Sequence, residues 1–328
     1  MKKGRGIVLM SGGLDSQLAV RVLERAGAEV EGVCYSSPFF SPDKGIEAAK
    51  NLGLPLTVID FTADEIALLH NPPHGFGGAM NPCIDCHAQM IRRAGELMQA
   101  KGFDFIATGE VLGQRPMSQN RQSLGVVAKI SGHANRLIRP LSAKLLEPTQ
   151  PEMDRLIDRE QLLDISGRSR ERQMALAAEF GITDYPSPAG GCKLTEASYG
   201  RRLKDLMTHE GLENRVLLDL LKVARRFRFP AGTGVILGRD QTENGILKGL
   251  AAQGTLVSPV NVPGPTALLT QIGSAEELEW ALKLVSAYSR FDQLEGEIRV
   301  RIQGNGQTEE CAVPRPYDRE TFKPYQLT

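Results

Sequence analysis

Residues 6–10 form a short apolar run that stops at Ser11-Gly12-Gly13, and Leu14-Asp15-Ser16 then opens a segment with helical spacing. A buried strand, a glycine turn and a helix in direct succession commit the chain to a wound α/β beginning. The alternation continues. A helix over 15–26 (Leu18, Ala19, Val22, Leu23) is stopped by Gly27, and a strand over 30–35 follows. A helix over 45–52 is closed by Gly53 and leads into a strand over 56–61. This order predicts a parallel sheet with crossover helices.

Beyond it, a Gly/Pro-rich loop over 71–81 delivers Cys83 and Cys86 to the start of a helix expected at 88–101. A strand over 103–108 and a polar loop over 109–119 come next. Residues 137–141 and helices after Pro151 and Ser169 complete a first domain, expected at 1–180. Ligands of open α/β sheets bind outside the carboxyl ends of the strands. The loops after strands one, two and four therefore share one mouth with the Cys83 loop. Residues 181–199 read as a linker carrying Cys192. Residues 200–328 read as a smaller α+β domain, in which a basic helical stretch precedes strands over 234–237, 255–260, 267–269 and 297–303. A helix over 275–289 lies between the last two.

Apolar residues make up 41% of the 328 and charged residues 24%, enough to bury a core. Lys and Arg together number 39, as do Asp and Glu, so bulk charge marks neither a nucleic-acid nor a membrane protein, and any basic surface is local. No apolar run approaches the ~20 residues of a membrane span. Met1-Lys2-Lys3 precedes too short an apolar stretch for a signal peptide. The expectation is a cytoplasmic protein with no membrane partner. Five cysteines in a chain of this size do not make a disulfide scaffold. Cys34 and Cys311 read as structural. Cys83-x-x-Cys86, with Cys192 between glycines (Gly190, Gly191) and Lys193, reads as metal or redox chemistry.

The turn itself points to an anion. Glycines let backbone come close to a ligand, and a helix N-terminus presents free N–H groups and partial positive charge. Asp15 would repel phosphate unless Mg²⁺ lies between them, so a metal-bound pyrophosphate is the natural guest. The pattern has neither the lysine of a P-loop nor the spacing of a dinucleotide fold. Ser11-Gly12-Gly13-Leu14-Asp15-Ser16 resembles the loop of N-type ATP pyrophosphatases (the PP-loop, adenine nucleotide α-hydrolase-like fold), which split ATP into AMP and pyrophosphate. The resemblance implies that Ser11, Gly12, Gly13, Asp15 and Ser16 hold ATP and Mg²⁺, with Tyr35, Gly109 and Gln114 as further nucleotide contacts.

Two stretches narrow the resemblance. Asn81-Pro82-Cys83-Ile84-Asp85-Cys86-His87 is similar to the Asn-Pro-Cys-x-x-Cys-Asn segment of tRNA 2-thiouridylases, with His87 in place of Asn. Thr108-Gly109-Glu110-Val111-Leu112-Gly113-Gln114, followed by Ser118-Gln119, is similar to a loop of tRNA 4-thiouridine synthetases, with Glu110 in place of Asp. The resemblance implies an ATP-dependent tRNA sulfurtransferase: a uridine carbonyl of tRNA is adenylated and sulfur from Cys83, Cys86 and Cys192 displaces AMP. The donor would be a cysteine desulfurase or free sulfide. Three thiolates suit a [4Fe–4S] cluster with one open iron. A persulfide and a second cysteine need only two of them. A zinc site would recruit His87 or His74 as fourth ligand. Asp85 is expected either to orient the base or act in acid/base catalysis, or to cap the helix. Gln114, Ser118, Gln119 and Arg115 are candidate contacts to nucleotide or base.

In the second domain, residues 234–247, Pro263-Gly264-Pro265 and Ala287-Tyr288-Ser289 resemble the RNA-binding domain of the NFACT family. Residues 201–239 hold nine Lys/Arg against four Asp/Glu, a basic stripe in a neutral chain. Arg201, Arg202, Arg225, Arg226 and Arg239 are the expected RNA contacts. Two other activities fit the same motifs: a pyrophosphatase acting on a small molecule, and a non-catalytic tRNA- or ribosome-binding protein that senses ATP.

Overall fold

The computed structural model describes residues 3–187, 191–290, 296–304, 306–313 and 317–328. Two compact units divide at Thr195/Glu196, so Cys192 belongs to the first.

The first unit is an α/β fold. Strands β1 (Arg5–Leu9), β2 (Glu29–Ser36), β3 (Leu56–Asp60), β4 (Phe105–Ala107) and β5 (Leu137–Ile138) form one parallel sheet in the order β3-β2-β1-β4-β5. Successive side chains of a strand point to opposite faces, so a sheet covered on both sides must be apolar at consecutive positions. The strands obey this. Ile7 and Ile106 join one core with Ile91, Ala94, Met98 and Val127, from α4 (Cys83–Ala100) and α5 (Arg121–Ser131). Val8 and Ala107 join the other with Leu18 and Val22 of α1 (Leu14–Arg25), Ala48 and Ala49 of α2 (Asp43–Leu52) and Ala177 of α7 (Glu171–Glu179). Short helices α3 (Thr62–His70) and α6 (Gln150–Met153) fill connections.

Two differences from the sequence reading matter for the site. Helix α4 begins at Cys83 and not at residue 88, because Pro82 supplies a stiff N-cap and both cysteines fall in the first turn. Helix α3 is short and lacks a clear apolar stripe, so no helix was expected there.

The second unit is an antiparallel sheet with helices. Strands β6 (Arg225–Arg228), β7 (Gly234–Leu237), β8 (Thr255–Pro259), β9 (Ala267–Gln271), β10 (Ile298–Gly304) and β11 (Gln307–Val313) run in the order β11-β10-β8-β9-β7-β6. Helices α8 (Ala197–His209), α9 (Arg215–Leu220), α10 (Gln241–Lys248) and α11 (Ala275–Tyr288) complete it. The expected strands and the helix over 275–289 lie within two residues of these. The basic stretch is not helical throughout, since residues 225–228 form an edge strand paired with β7. Among the described residues no helix is long and apolar enough to cross a membrane.

Candidate active site

Gly12 sits at φ +77°, and a Cβ there would stand 2.3 Å from the Lys44 carbonyl oxygen, so the turn requires glycine twice over. Gly13 is the extended N-cap of α1, whose first amides have no partner within the helix. Ser16 Oγ donates to the Gly13 carbonyl at 2.8 Å, and the Gly13 amide donates to Ser11 Oγ at 3.3 Å, which puts both hydroxyls on the rim of the turn. Gln17 fixes the turn from behind. Its buried Nε2 donates to the carbonyls of Gly12 at 3.2 Å and Asp184 at 3.1 Å.

The loop after β4 closes over the turn. A Cβ on Gly109 would meet the Asp15 carbonyl and the Ser16 amide at 2.6 Å, so this contact too is possible only for glycine. Gln114 donates Nε2 to Asp15 Oδ2 at 2.8 Å. Asp15 Oδ1 and Gln114 Oε1 are buried with no hydrogen-bond partner among the described residues. Buried oxygens are ordinarily satisfied, and two orphans beside an anion-binding turn suit a hard divalent cation such as Mg²⁺. Ser118 and Gln119 are also buried in this loop, which folds on itself through Gly113 N–H to Gln119 O at 2.7 Å.

The next residue leads to the cysteines. Glu110 accepts from Arg139 Nε at 2.8 Å and Thr108 Oγ1 at 3.0 Å, and His87 Nδ1 lies 3.6 Å from its other oxygen. Burial pushes this carboxyl up, but Arg139 and His87 outweigh burial and hold it well below the usual carboxylate range. His87 follows Cys86 directly. The dipeptide Gly109-Glu110 therefore touches the glycine turn on one side and the neighbour of Cys86 on the other.

Cys86 is buried, and its Sγ donates to Glu65 Oε2 at 3.4 Å. Burial first, then the Glu65 carboxylate, push the Cys86 thiol well up. Cys192 and Cys83 add to the push, so the three sulfurs share one neighbourhood. The chain around Cys192 is anchored by the Lys193 amide, which donates to the Phe39 carbonyl in the loop after β2 at 2.9 Å. Asn81 Nδ2 donates to Cys83 Sγ at 3.1 Å. The expected linker residues Pro188, Ala189 and Gly190 lie outside the described residues. Among the described residues none of the five cysteines is in a disulfide. Soft thiolates are the right donors for iron–sulfur or zinc. Yet among the described residues no three His, Cys, Asp or Glu side chains are grouped to hold a metal ion. The thiols are neighbours and not a formed ligand set for a cluster or zinc.

Three expected roles do not fit this geometry. Asp85 neither caps α4 nor faces the mouth: its carboxylate, 4% exposed, accepts from the His74 backbone N–H at 2.9 Å and pairs with His74 Nδ1 at 2.6 Å. It ties the Gly/Pro loop to the helix, and it also engages His74, one of the two histidines expected as a zinc ligand. Tyr35 is a core residue, its ring 5.3 Å from Phe61 and its hydroxyl donating to the Met90 carbonyl of α4. Burial pushes its phenol up. Arg226, 3% exposed, is paired with Asp205 and Glu210 inside the second unit.

The residue that sequence reasoning missed is Glu65. It is 0% exposed on α3, its Oε1 has no hydrogen-bond partner among the described residues, and burial pushes its carboxyl up to about 7. It belongs to no motif, and only a buried acid on a short helix marks it. Gln17 had a weak signal, a polar residue on the apolar face of α1.

Residues 1–144 match the family model described as thiamine biosynthesis protein (ThiI), and residues 224–326 match that of the NFACT protein RNA binding domain. The first unit is thus similar to the ThiI model and the second to the NFACT one. A probable tRNA sulfurtransferase of Caldanaerobacter subterraneus subsp. tengcongensis is 32% identical over 38% of this chain and 33% of its own length. The tRNA-specific 2-thiouridylase MnmA of Azorhizobium caulinodans is 26% identical over 65% of this chain and 58% of its own. The matches thus span between a third and three fifths of those relatives. A crystal structure of a 4-thiouridine synthetase–RNA complex with bound ATP aligns over 55% of this chain and 52% of its own, at 21% identity and TM-score 0.36.

In the NFACT-type domain the other expected arginines have protein partners. Arg201 Nε donates to the Thr328 main-chain oxygen. Arg202 lies 5.8 Å from the Tyr199 ring. Arg239 is half exposed and paired with Glu243, Nε to Oε1 at 2.8 Å. Arg225 lies over the Tyr288 ring.

Proposed function

We propose that the chain is an ATP-dependent tRNA sulfurtransferase that forms AMP and pyrophosphate. The observation that carries this reading is the Gly109-Glu110 step, which joins an anion-binding turn to a buried cysteine neighbourhood in one domain. The ThiI-type match over residues 1–144 and the thiolation relatives support it.

ATP is bound by the Ser11–Ser16 turn, with the amides at the start of α1 and the serine hydroxyls on its phosphates. Asp15 Oδ1 and Gln114 Oε1 would hold Mg²⁺, which neutralises the charge that develops on the pyrophosphate. The target uridine oxygen attacks the α-phosphorus, and the bond to pyrophosphate breaks. The base carbon now carries AMP as leaving group. A persulfide on one cysteine of the Cys86/Cys192 pair attacks that carbon through its terminal sulfur, and the C–O bond to AMP breaks. The partner thiolate then attacks the carrier sulfur. The S–S bond to the transferred atom breaks, a cysteine disulfide forms, and the thiocarbonyl remains on the tRNA. Glu65 lies where the Cys86 proton must go when that thiol ionises. An external thiol reductant resets the disulfide. Cys83, Lys193 and Asn81 line the same neighbourhood.

The full chain, supplied with ATP·Mg²⁺, unmodified tRNA transcript and a cysteine desulfurase with cysteine, whose persulfide passes its outer sulfur to the acceptor thiolate and is left as a thiolate, will release AMP and pyrophosphate only when tRNA is present. Cys86→Ser will abolish thionucleoside formation, read by mass spectrometry of digested tRNA. Full thiolation by Cys86→Ser would overturn the sulfur route. An iron content near zero in anaerobically purified protein goes with the thiol route, whereas about four irons per chain would replace it by a cluster.

A further inference from the structure

Tyr288, the last residue of α11, is half-buried and holds two guanidiniums against its ring. Arg225 of β6 lies 5.0 Å from the ring centroid, and Arg319 lies 4.7 Å from it. The two cations are therefore no further apart than the sum of those distances. Like charges held this close repel, and neither is paired with a carboxylate among the described residues. Four arginines of this unit differ: Arg226, Arg228, Arg239 and Arg301 each face an acid.

The pair is also held in place. Arg319 Nε donates to the Ala287 carbonyl at 3.0 Å, at the C-terminal end of α11, where free carbonyls attract a cation. That bond uses Nε and leaves both terminal nitrogens available. The 3-10 segment Arg319–Tyr325 is anchored by Phe322, 3% exposed, against Phe229. Arg225 is fixed by the β6–β7 register, and Phe227 supports the Tyr288 ring edge-on at 6.3 Å. Cation–π contact orients both guanidiniums with little remaining freedom.

We propose that Arg225, Tyr288 and Arg319 form a preset clamp for RNA phosphates. Two planar forks, pinned on one ring and lacking carboxylate partners, match the bidentate geometry of phosphodiester oxygens. The bound backbone relieves the repulsion between them. RNA is favoured over an acidic protein or a lipid surface because all three residues lie within the stretch that matches the NFACT RNA-binding model. The inference rests on the reading of tRNA as substrate and names the place where it is gripped, independent of the chemistry in the other unit.

The test measures binding of an unmodified tRNA transcript to the full chain over a range of salt concentrations. Arg225→Gln with Arg319→Gln will weaken binding at least tenfold and flatten the slope of log K against log salt by about one to two. Tyr288→Leu removes no charge, yet will weaken binding severalfold with the salt slope nearly kept, because the forks lose their pins; Tyr288→Phe will bind as the parent does. Circular dichroism will show each variant folded, and the single variant Arg225→Gln serves if the double is not. Unchanged affinity and slope in the arginine variants would refute the clamp while tRNA binding by the parent survives. Equal affinity of Tyr288→Leu and the parent would refute the role of the ring. Loss of binding to anionic vesicles or to poly-glutamate, with tRNA affinity retained, would assign the clamp to a different partner and overturn it. A parent that binds no tRNA at all would instead remove the reading beneath it.

Discussion

Replacing Glu65 by Gln isolates the cost of one buried carboxyl. Glu65 is fully buried, and among the described residues the one hydrogen bond to its carboxyl comes from Cys86. Burial pushes it from an ordinary 4.5 to about 7. Between those values the folded chain holds a proton that the unfolded chain has released. The folded state is therefore favoured most below 4.5, and that advantage is lost as pH rises through 7. At about 1.4 kcal/mol per unit, the ionised group costs the folded state ~3 kcal/mol at pH 8. Gln has the same shape, can still accept from Cys86 and does not titrate. The variant will thus be ~3 kcal/mol more stable than the parent at pH 8 and about equal to it near pH 4.5. The one tryptophan, Trp280, packs in the second unit, so its emission does not report on Glu65. Calorimetry of the full chain separates the two units, and the transition without a change in tryptophan emission is the one to follow. A parent and variant with the same pH dependence between 5 and 8 would show that Glu65 is either solvated or already neutralised, and the argument would fail.

Gly12→Ala forces a Cβ against the Lys44 carbonyl and a left-handed backbone costing about 1–2 kcal/mol. ATP affinity, by isothermal titration, will fall at least tenfold while tRNA affinity stays; retained ATP affinity would move the nucleotide off this turn. Arg139→Met strips the buried Glu110 of its main partner and will destabilise the first unit by about 3–5 kcal/mol at pH 7. Glu110 is held below its ordinary value, so its stabilising contribution is present above about 4.5 and fades as pH falls through the depressed value. The defect will shrink in acid, where the stranded carboxyl can take a proton. A loss under about 1 kcal/mol in urea melts at pH 7 would contradict the buried pair.

The winding of the first unit was legible because its signals are local. Ile7 and Val8 face opposite sides of β1, the helix of Leu18 and Val22 repeats at 3.6, and Gly12 announces a turn no other residue can make. The shared mouth followed from topology alone. Asp85 was not legible: a carboxylate between two cysteines reads as chemistry until His74 is seen folded onto it. Nor was Tyr35, since an aromatic at a strand end can face ligand or core, and Met90 on a distant helix decides. The basic stripe misled at Arg226 because a composition count does not see Asp205 and Glu210 converging from α8 and the residues after it.

By itself the sequence determined most elements of the first unit's sheet, their order and the anion-binding turn, because periodicity, glycine conformations and helix ends act within a few residues. Tertiary structure alone decided that Glu65 meets Cys86, that Gly109-Glu110 links turn to thiol, and that two arginines share Tyr288. Those contacts join segments far apart in the chain, and burial, which sets both their charge and their partners, exists only once the chain has folded.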